Sequence, residues 1–433
     1  MGAQSVMGLI ETWYVSRLGA DALAGMALVF PTFMLLQMIS AGAVGGGILS
    51  TTARAIGAGD LAGAERVVWA AFAVTLLLTL PTSAAALLFG RDLYRLLGGE
   101  GPALDAAFAY ATVAFAGALP LWLFNSLAAI VRAQGNVVFP AAVVVGGTLL
   151  LMPVSPLLIF GFGPLPGLGI AGGAWAIVLF YVAGSLVLAW HVWSGRGVLR
   201  PSVRPTRPPV RAVVEILRIG TVSSLNAIST NVVIAIALTT VASLDSAAVA
   251  GYGTGVRLEY LLIPLVFGIG VPTAAIVGTS IGAGLTERAL RVTWAGALIA
   301  GLVTELIGVA AALASSTLMG FFTDDTAVIA SGSTYLRTVG PFFGFYGAGL
   351  ALYFAAQGAG RVALPQASSI ARIAIVTLLG PIAIELGGEQ GLYATLAVAM
   401  VVYCLLNLLA TALPVHRRPT TNGPTRNFRK WPG

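Results

Sequence analysis

The 433-residue chain is 58% hydrophobic and only 9% charged, with a mean hydropathy of +0.94 and a formal net charge of +7. A soluble domain carries about 25% charged residues, so this chain cannot cover a water-facing surface of its size and is expected to be an all-α polytopic membrane protein. The single cysteine, Cys404, excludes an intrachain disulfide, and two distant histidines, His191 and His416, give no histidine metal cluster.

The apolar runs are roughly 20 residues long rather than alternating ten-residue segments, which disfavours a β-barrel. The positive charge is almost wholly arginine placed between apolar runs. It reads as a topology signal and not as a nucleic-acid surface. Residues 1–16 lack the basic region and cleavage site of a signal peptide. Span 1 ends near Arg17. Its later copy begins near Ala212, so span 1 is truncated by roughly ten residues and too short to cross a bilayer. The expectation is a start upstream of Met1.

Span 2 is expected over about Ala24 to Ala55, with Pro31 as a kink site and a thin face of Gly42, Gly45, Gly46 and Gly47. Span 3 follows from about Ala64 to Phe89, then a charged loop from Arg91 to Asp105. Span 4 ends at Gln134, and span 5 covers Phe139 to Phe160. The proline- and glycine-rich stretch Gly161 to Gly169 must be non-helical. Span 6 covers Ile170 to Trp193, closing an N-lobe of residues 1–195.

Residues 196–211 form a linker with Arg196, Arg200, Arg204, Arg207 and Arg211, four prolines and no acid. Proline precludes a helix there and favours an extended, solvated segment. The positive-inside rule places it in the cytoplasm, with contact to anionic lipid as a secondary effect.

The C-lobe, residues 212–414, repeats the scheme: span 7 from about Ala212 to Val241, span 8 Ala247 to Ile281 and span 9 Ala289 to Leu318. Span 10 covers about Ala327 to Gln357, span 11 Leu364 to Glu385 and span 12 Leu392 to Leu413. The tail, residues 415–433, carries Arg417, Arg418, Arg426, Arg429 and Lys430 and is expected on the cytoplasmic side. Twelve spans place linker and tail on one side and Asp245, Asp324, Asp325, Glu385 and Glu389 on the other.

The two halves are homologous. Ile56-Gly57-Ala58-Gly59, with Ala64, Arg66, Val67, Trp69 and Ala70 after it, returns about 225 residues later. The copy is Ile281-Gly282-Ala283-Gly284, with Ala289, Arg291, Val292, Trp294 and Ala295. Ala22-Leu23-Ala24-Gly25 is echoed by Ala248-Val249-Ala250-Gly251. A membrane chain built as a parallel repeat fits a secondary transporter with a shared midplane site.

Several of these segments resemble the multidrug and toxic compound extrusion (MATE) family, bacterial type. They are a span-1 acid followed by Ser16-Arg17-Leu18-Gly19-Ala20, then Ala55-Ile56-Gly57-Ala58-Gly59-Asp60. Others are Arg132 to Asn136, Leu168 to Ala174, and Gln357-Gly358-Ala359-Gly360-Arg361. The resemblance implies twelve transmembrane helices in two homologous six-helix lobes around a V-shaped central cavity. It also implies alternating access and cation-coupled export of organic cations.

Ionisable groups inside membrane helices are costly, so each is a functional candidate by default. Glu11 stands where the family has an acid on span 1. The resemblance makes it the group that binds a proton or sodium ion, against the alternative of a water-facing residue near the helix end. Ser155 occupies the place where some members carry a span-5 aspartate, which removes the second acid of that site. On span 8, Arg257 and Glu259 are two residues apart and cannot face each other. Glu259 is either a second cation-coupling acid or half of a structural ion pair with another helix. A coupling sodium ion would sit at Glu11 or Glu259; no other metal and no cofactor is expected.

Candidate cavity residues are Tyr14, Gln37 and Asn125 in the N-lobe and Asn226, Asn231, Arg257, Tyr260, Tyr346 and Tyr353 in the C-lobe. Phe33, Trp122 and Phe342 are further π-face candidates that packing explains as well. Glu305, midway along span 9, reads as an interhelical contact, and Arg54, Arg66, Arg132, Arg291, Arg361 and Arg372 as snorkelling anchors at helix ends. The function expected is antiport, not catalysis, by a monomer in the plasma (inner) membrane. The partners are small-molecule organic cations and membrane lipid, with no nucleic acid. The rival reading is a flippase for a lipid-linked precursor, which would favour a more cationic cavity.

Overall fold

The computed structural model describes residues 2–163 and 165–412. The basic tail lies outside the described residues. The N-lobe holds α1 (Gly2–Ser16), α2 (Ala20–Met38), a π-helical turn (Ile39–Val44) and α3 (Gly45–Gly57). It continues with α4 (Leu61–Leu96), α5 (Gly101–Ala116), α6 (Ala118–Ala133), α7 (Val138–Phe160) and α8 (Ile170–Trp193). The C-lobe holds α9 (Val210–Val241), α10 (Ser246–Gly282), α11 (Thr286–Leu313) and the short α12 (Ser315–Gly320). It ends with α13 (Thr326–Val339), a 3-10 turn (Gly340–Phe342), α14 (Phe343–Gly358) and α15 (Ala363–Ala412).

Among the described residues nine helical segments are long and apolar enough to cross a membrane, and a tenth is the pair α5 and α6, bent by 47°. The 49-residue segment Ala363–Thr411 counts once there but turns back on itself. Its backbone leaves helical geometry at Gly387 and Gly388, and Asn407 Nδ2 donates to Ser368 Oγ at 2.9 Å across the resulting hairpin. Gly388 adopts φ 57° and ψ −146°, and Gly169, at the matching turn of the N-lobe, adopts φ 57° and ψ −140°. That region is open to glycine and closed to residues with a Cβ. With the short α1, 15 residues against 32 in its counterpart α9, the described residues hold twelve helical passes.

Two local expectations are corrected. The charged stretch from Arg91 is not a loop throughout: α4 continues to Leu96, and its projecting end is tied by Arg91–Asp105 at 2.6 Å and Arg95–Asp92 at 2.9 Å. Pro31 lies inside the unbroken α2, and a separate irregularity falls at Ile39–Val44, where the chain passes through π-helical geometry. Spans 4 and 10 are broken at matching places, Gly117 with Pro120 and Gly340-Pro341, because proline removes a ladder donor and crowds the preceding turn.

The lobes meet at one end. The π-helical turn and α3 pack on α9, and α3 packs on α10, while α2 meets α9 only at its margin. Gly57 leaves no room for a Cβ against Thr279 O, and Gly282 leaves none against Arg54 O. The pairing is reciprocal about the pseudo-twofold of the repeat. Small residues allow the backbones to close in this way. Arg54 Nη1 reaches Glu215 Oε1 at 2.8 Å, and Ser50 Oγ donates to Gly358 O at 2.9 Å, both across the lobe boundary. The result is a V, closed at the linker face and diverging at the other.

Candidate functional site

Glu11 is completely buried on α1. Tyr110 on α5 donates its hydroxyl to Glu11 Oε1 at 3.3 Å. Oε2 has no hydrogen-bond partner among the described residues. The backbone of α8 passes close enough that a Cβ on Gly173 would sit 2.7 Å from Oε1. That glycine belongs to the Leu168–Ala174 segment, so the motif keeps span 6 thin beside the acid. Tyr181 on α8 accepts a hydrogen bond from Gln37 Nε2 of α2. Ser155 on α7 is also fully buried, and its Oγ has no partner. Among the described residues the N-lobe therefore buries a carboxylate with no counter-cation, and a carboxylate so placed is stable only when neutral or beside a bound cation.

Glu259 on α10 presents the opposite arrangement. Its Oε1 accepts from Arg372 Nη2 at 2.8 Å, and its Oε2 accepts from the Tyr335 hydroxyl at 3.1 Å. Both side chains of the ion pair are about 95% buried. Arg372 also lies over the Tyr346 ring, 4.8 Å from its centroid. Tyr252, Tyr335 and Tyr393 pack edge to face and stacked beside the acid. Arg372 was expected to be a snorkelling anchor at a helix end. It lies nine residues into α15, about 14 Å along the axis, and is held by the buried acid instead.

The MatE family model matches residues 1–157 and 223–382. The chain belongs to the MatE family. It is a multi-pass membrane transporter and not an enzyme. It is 27% identical over 344 residues to the FAD transporter of Shewanella oneidensis, covering 78% of this chain and 75% of the relative. Over 370 residues it is 26% identical to a probable multidrug resistance protein NorM of Thermotoga maritima, with coverage of 84% and 78%. A crystal structure of a mutant MATE protein superposes with a TM-score of 0.86 at 25% identity, covering 95% of this chain and 92% of that one. An outward-facing multidrug resistance MATE transporter superposes at 0.85, also at 25% identity, with the same coverage. The all-α fold with two homologous lobes is that of the family.

Within this MatE chain, Asn226, Tyr346 and Tyr353 come together with Thr230 and Gly42 around a narrow cavity of about 40 Å³. Ser369 Oγ donates to Asn226 Oδ1 at 2.6 Å, and the Tyr353 hydroxyl to Ser223 O at 3.4 Å. Asn125 donates to Ser40 Oγ at 3.0 Å and, with Arg132, lines a larger cavity of about 460 Å³ between α6, α7 and α10. Arg132, read as an anchor, faces this space and has no ion-pair partner among the described residues.

Asn231 and Tyr260 bond each other at 3.0 Å on the exposed side of the α9–α10 pair. Arg257 is exposed and points away from Glu259. Tyr14 donates to Met152 O at 3.1 Å and fastens α1 to α7. Phe33 and Trp122 are core residues. Glu305 Oε2 accepts from Gly344 N at 2.7 Å, capping α14 where span 10 restarts, so its role is interhelical. Sequence reasoning missed Tyr110, Tyr335 and Arg372. Arg372 carried a signal, a cation inside an apolar run; the tyrosines carried none.

Proposed function

We propose that the chain exports small organic cations, including drugs, by antiport with protons or sodium ions through alternating access, with Glu11 as the coupling carboxylate. The observation that carries this reading is the contrast between two buried acids. Glu259 already has a cation, the tethered guanidinium of Arg372. Among the described residues Glu11 has one tyrosine bond and an oxygen without a partner. In hydrocarbon such a group takes a proton or a cation from outside the protein. Rocking of the lobes about the Gly57 and Gly282 contact would expose it to each side in turn. The linker face is cytoplasmic in this reading, the membrane is the inner one, and the transporter acts as a monomer.

A second reading has one specific observation behind it. Arg132 faces the interlobe cavity without an acid, and the Shewanella relative is named for a phosphate-bearing cargo. A flavin dinucleotide or a lipid-linked precursor would suit that guanidinium.

Purified protein in proteoliposomes separates the readings. A fluorescent organic cation is expected to move against its gradient under an imposed pH or sodium gradient, and Glu11→Gln to stop it. No movement under either gradient, with uptake of FAD or a lipid-linked precursor, would overturn cation antiport in favour of the second reading.

A further inference from the structure

The linker is less free than its composition implies. It is non-helical between Trp193 and Val210, yet it is fastened along the N-lobe. Leu199 is 1% exposed, and its N–H donates to Gln134 Oε1 at 3.0 Å. Arg200 N–H donates to Glu65 Oε1 at 3.0 Å, and Trp193 Nε1 to Ser202 O at 3.4 Å. Gly197 passes close enough to Gln134 that a Cβ there would push its side-chain amide aside.

This strap encloses a cavity of about 290 Å³ lined by Gln134, Asn136, His191 and Arg196. Among the described residues no carboxylate lines it. Asn136 Oδ1 is used as an acceptor for Phe139 N–H, at 3.0 Å, which leaves its amide nitrogen as a donor. The Arg196 guanidinium rests over the Trp190 ring, 4.2 Å from the centroid. Trp190 is 53% exposed at the end of α8, the position of an interfacial tryptophan.

The strap also holds aliphatic groups outward. Val198, Val203 and Val210 are 45%, 76% and 76% exposed, interleaved with Arg196, Arg200, Arg204 and Arg207. Exposed valine on a surface strap is favourable where it meets acyl chains, and arginine beside it would suit the phosphate layer of the same leaflet.

We propose that this face binds an anionic phospholipid of the linker-side leaflet, with its phosphate in the cavity on Arg196 and Asn136. The guanidinium supplies charge-assisted hydrogen bonds to the phosphate oxygens. The valines lie against its acyl chains.

Delipidated wild-type protein would be titrated with phosphatidylglycerol, phosphatidylcholine and inorganic phosphate, with bound lipid counted by native mass spectrometry. Phosphatidylglycerol is expected to be retained over phosphatidylcholine, and Arg196→Glu to weaken it about tenfold, as loss and reversal of a charged phosphate contact imply. Val203→Ser, which adds no charge, should weaken it with Arg196 intact, which a site for a free anion would not require. Arg196→Gln serves as the second variant if the glutamate does not fold. Equal retention of both lipids, an unchanged phosphatidylglycerol count in the Arg196 variants, or displacement by millimolar inorganic phosphate would overturn the proposal; the last would make it a site for a soluble anion.

Discussion

The two lobes descend from one repeat, and each buries an acid, but the acids are treated differently. Glu259 is enclosed with a guanidinium, a tyrosine hydroxyl and a wall of aromatic rings. Glu11 is enclosed with a single tyrosine hydroxyl and the thin backbone of span 6. Burial alone therefore does not mark a coupling site. What differs is that the C-lobe acid has a cation of the protein's own, Arg372, and among the described residues the N-lobe acid has none; in the proposed mechanism that cation comes from solution.

The largest expected effect tests the matched pair. Removing one partner of a buried ion pair costs about 3–5 kcal/mol, because a charge is left uncompensated. Arg372→Met should lower thermal stability by that order, and the Glu259→Met, Arg372→Met double variant should recover much of it. An Arg372→Met protein as stable as wild type would show that the pair is not what holds the C-lobe acid.

The unmatched acid should behave in the reverse way. Glu11→Gln keeps the shape and removes a charge that has no counter-cation, so thermal stability should be unchanged or higher. Gradient-driven export should fall by about tenfold or more, as for an intramembrane acid with a transport role. Intact export with Glu11→Gln would remove this residue from coupling and reopen the case for Glu259.

A third change separates lobe closure from lobe chemistry. Gly282→Leu places a side chain against Arg54 O, where no Cβ fits. The linker face should then fail to close, and spin-label distances between α3 and α10 should lengthen at that end. Wild-type distances would show that the contact is not needed for closure. The smallest effect belongs to Arg54–Glu215, whose side chains are 22% and 33% exposed. Its loss should cost no more than about 1 kcal/mol and should fade with salt. A Tm change that persists at high salt would mean that Arg54 acts through packing.

Much of the architecture was legible before the structure. Apolar runs located the spans, glycine and proline located the Gly161–Gly169 turn, and the repeated motif located the two lobes. Glu11 stood out because an acid is rare in an apolar run. Three features were less legible. The stretch from Arg91 looked like a loop because charge density masks a helix that continues past the membrane. Arg372 looked like an anchor because its partner is 113 residues away. The linker looked solvated because arginine and proline dominate its composition, while the backbone bonds of Leu199 and Arg200 to Gln134 and Glu65 have no local signature.

The sequence by itself determined that this protein lives in a membrane, that it is two copies of one unit, and which acids are exceptional. Those facts follow from composition and short-range pattern, since the bilayer acts on each span alone. The tertiary structure decided which acid has a cation, which face of the V is closed, and where the linker rests. Those are pairings between distant segments, and a one-dimensional pattern holds no term for the partner that packing will bring.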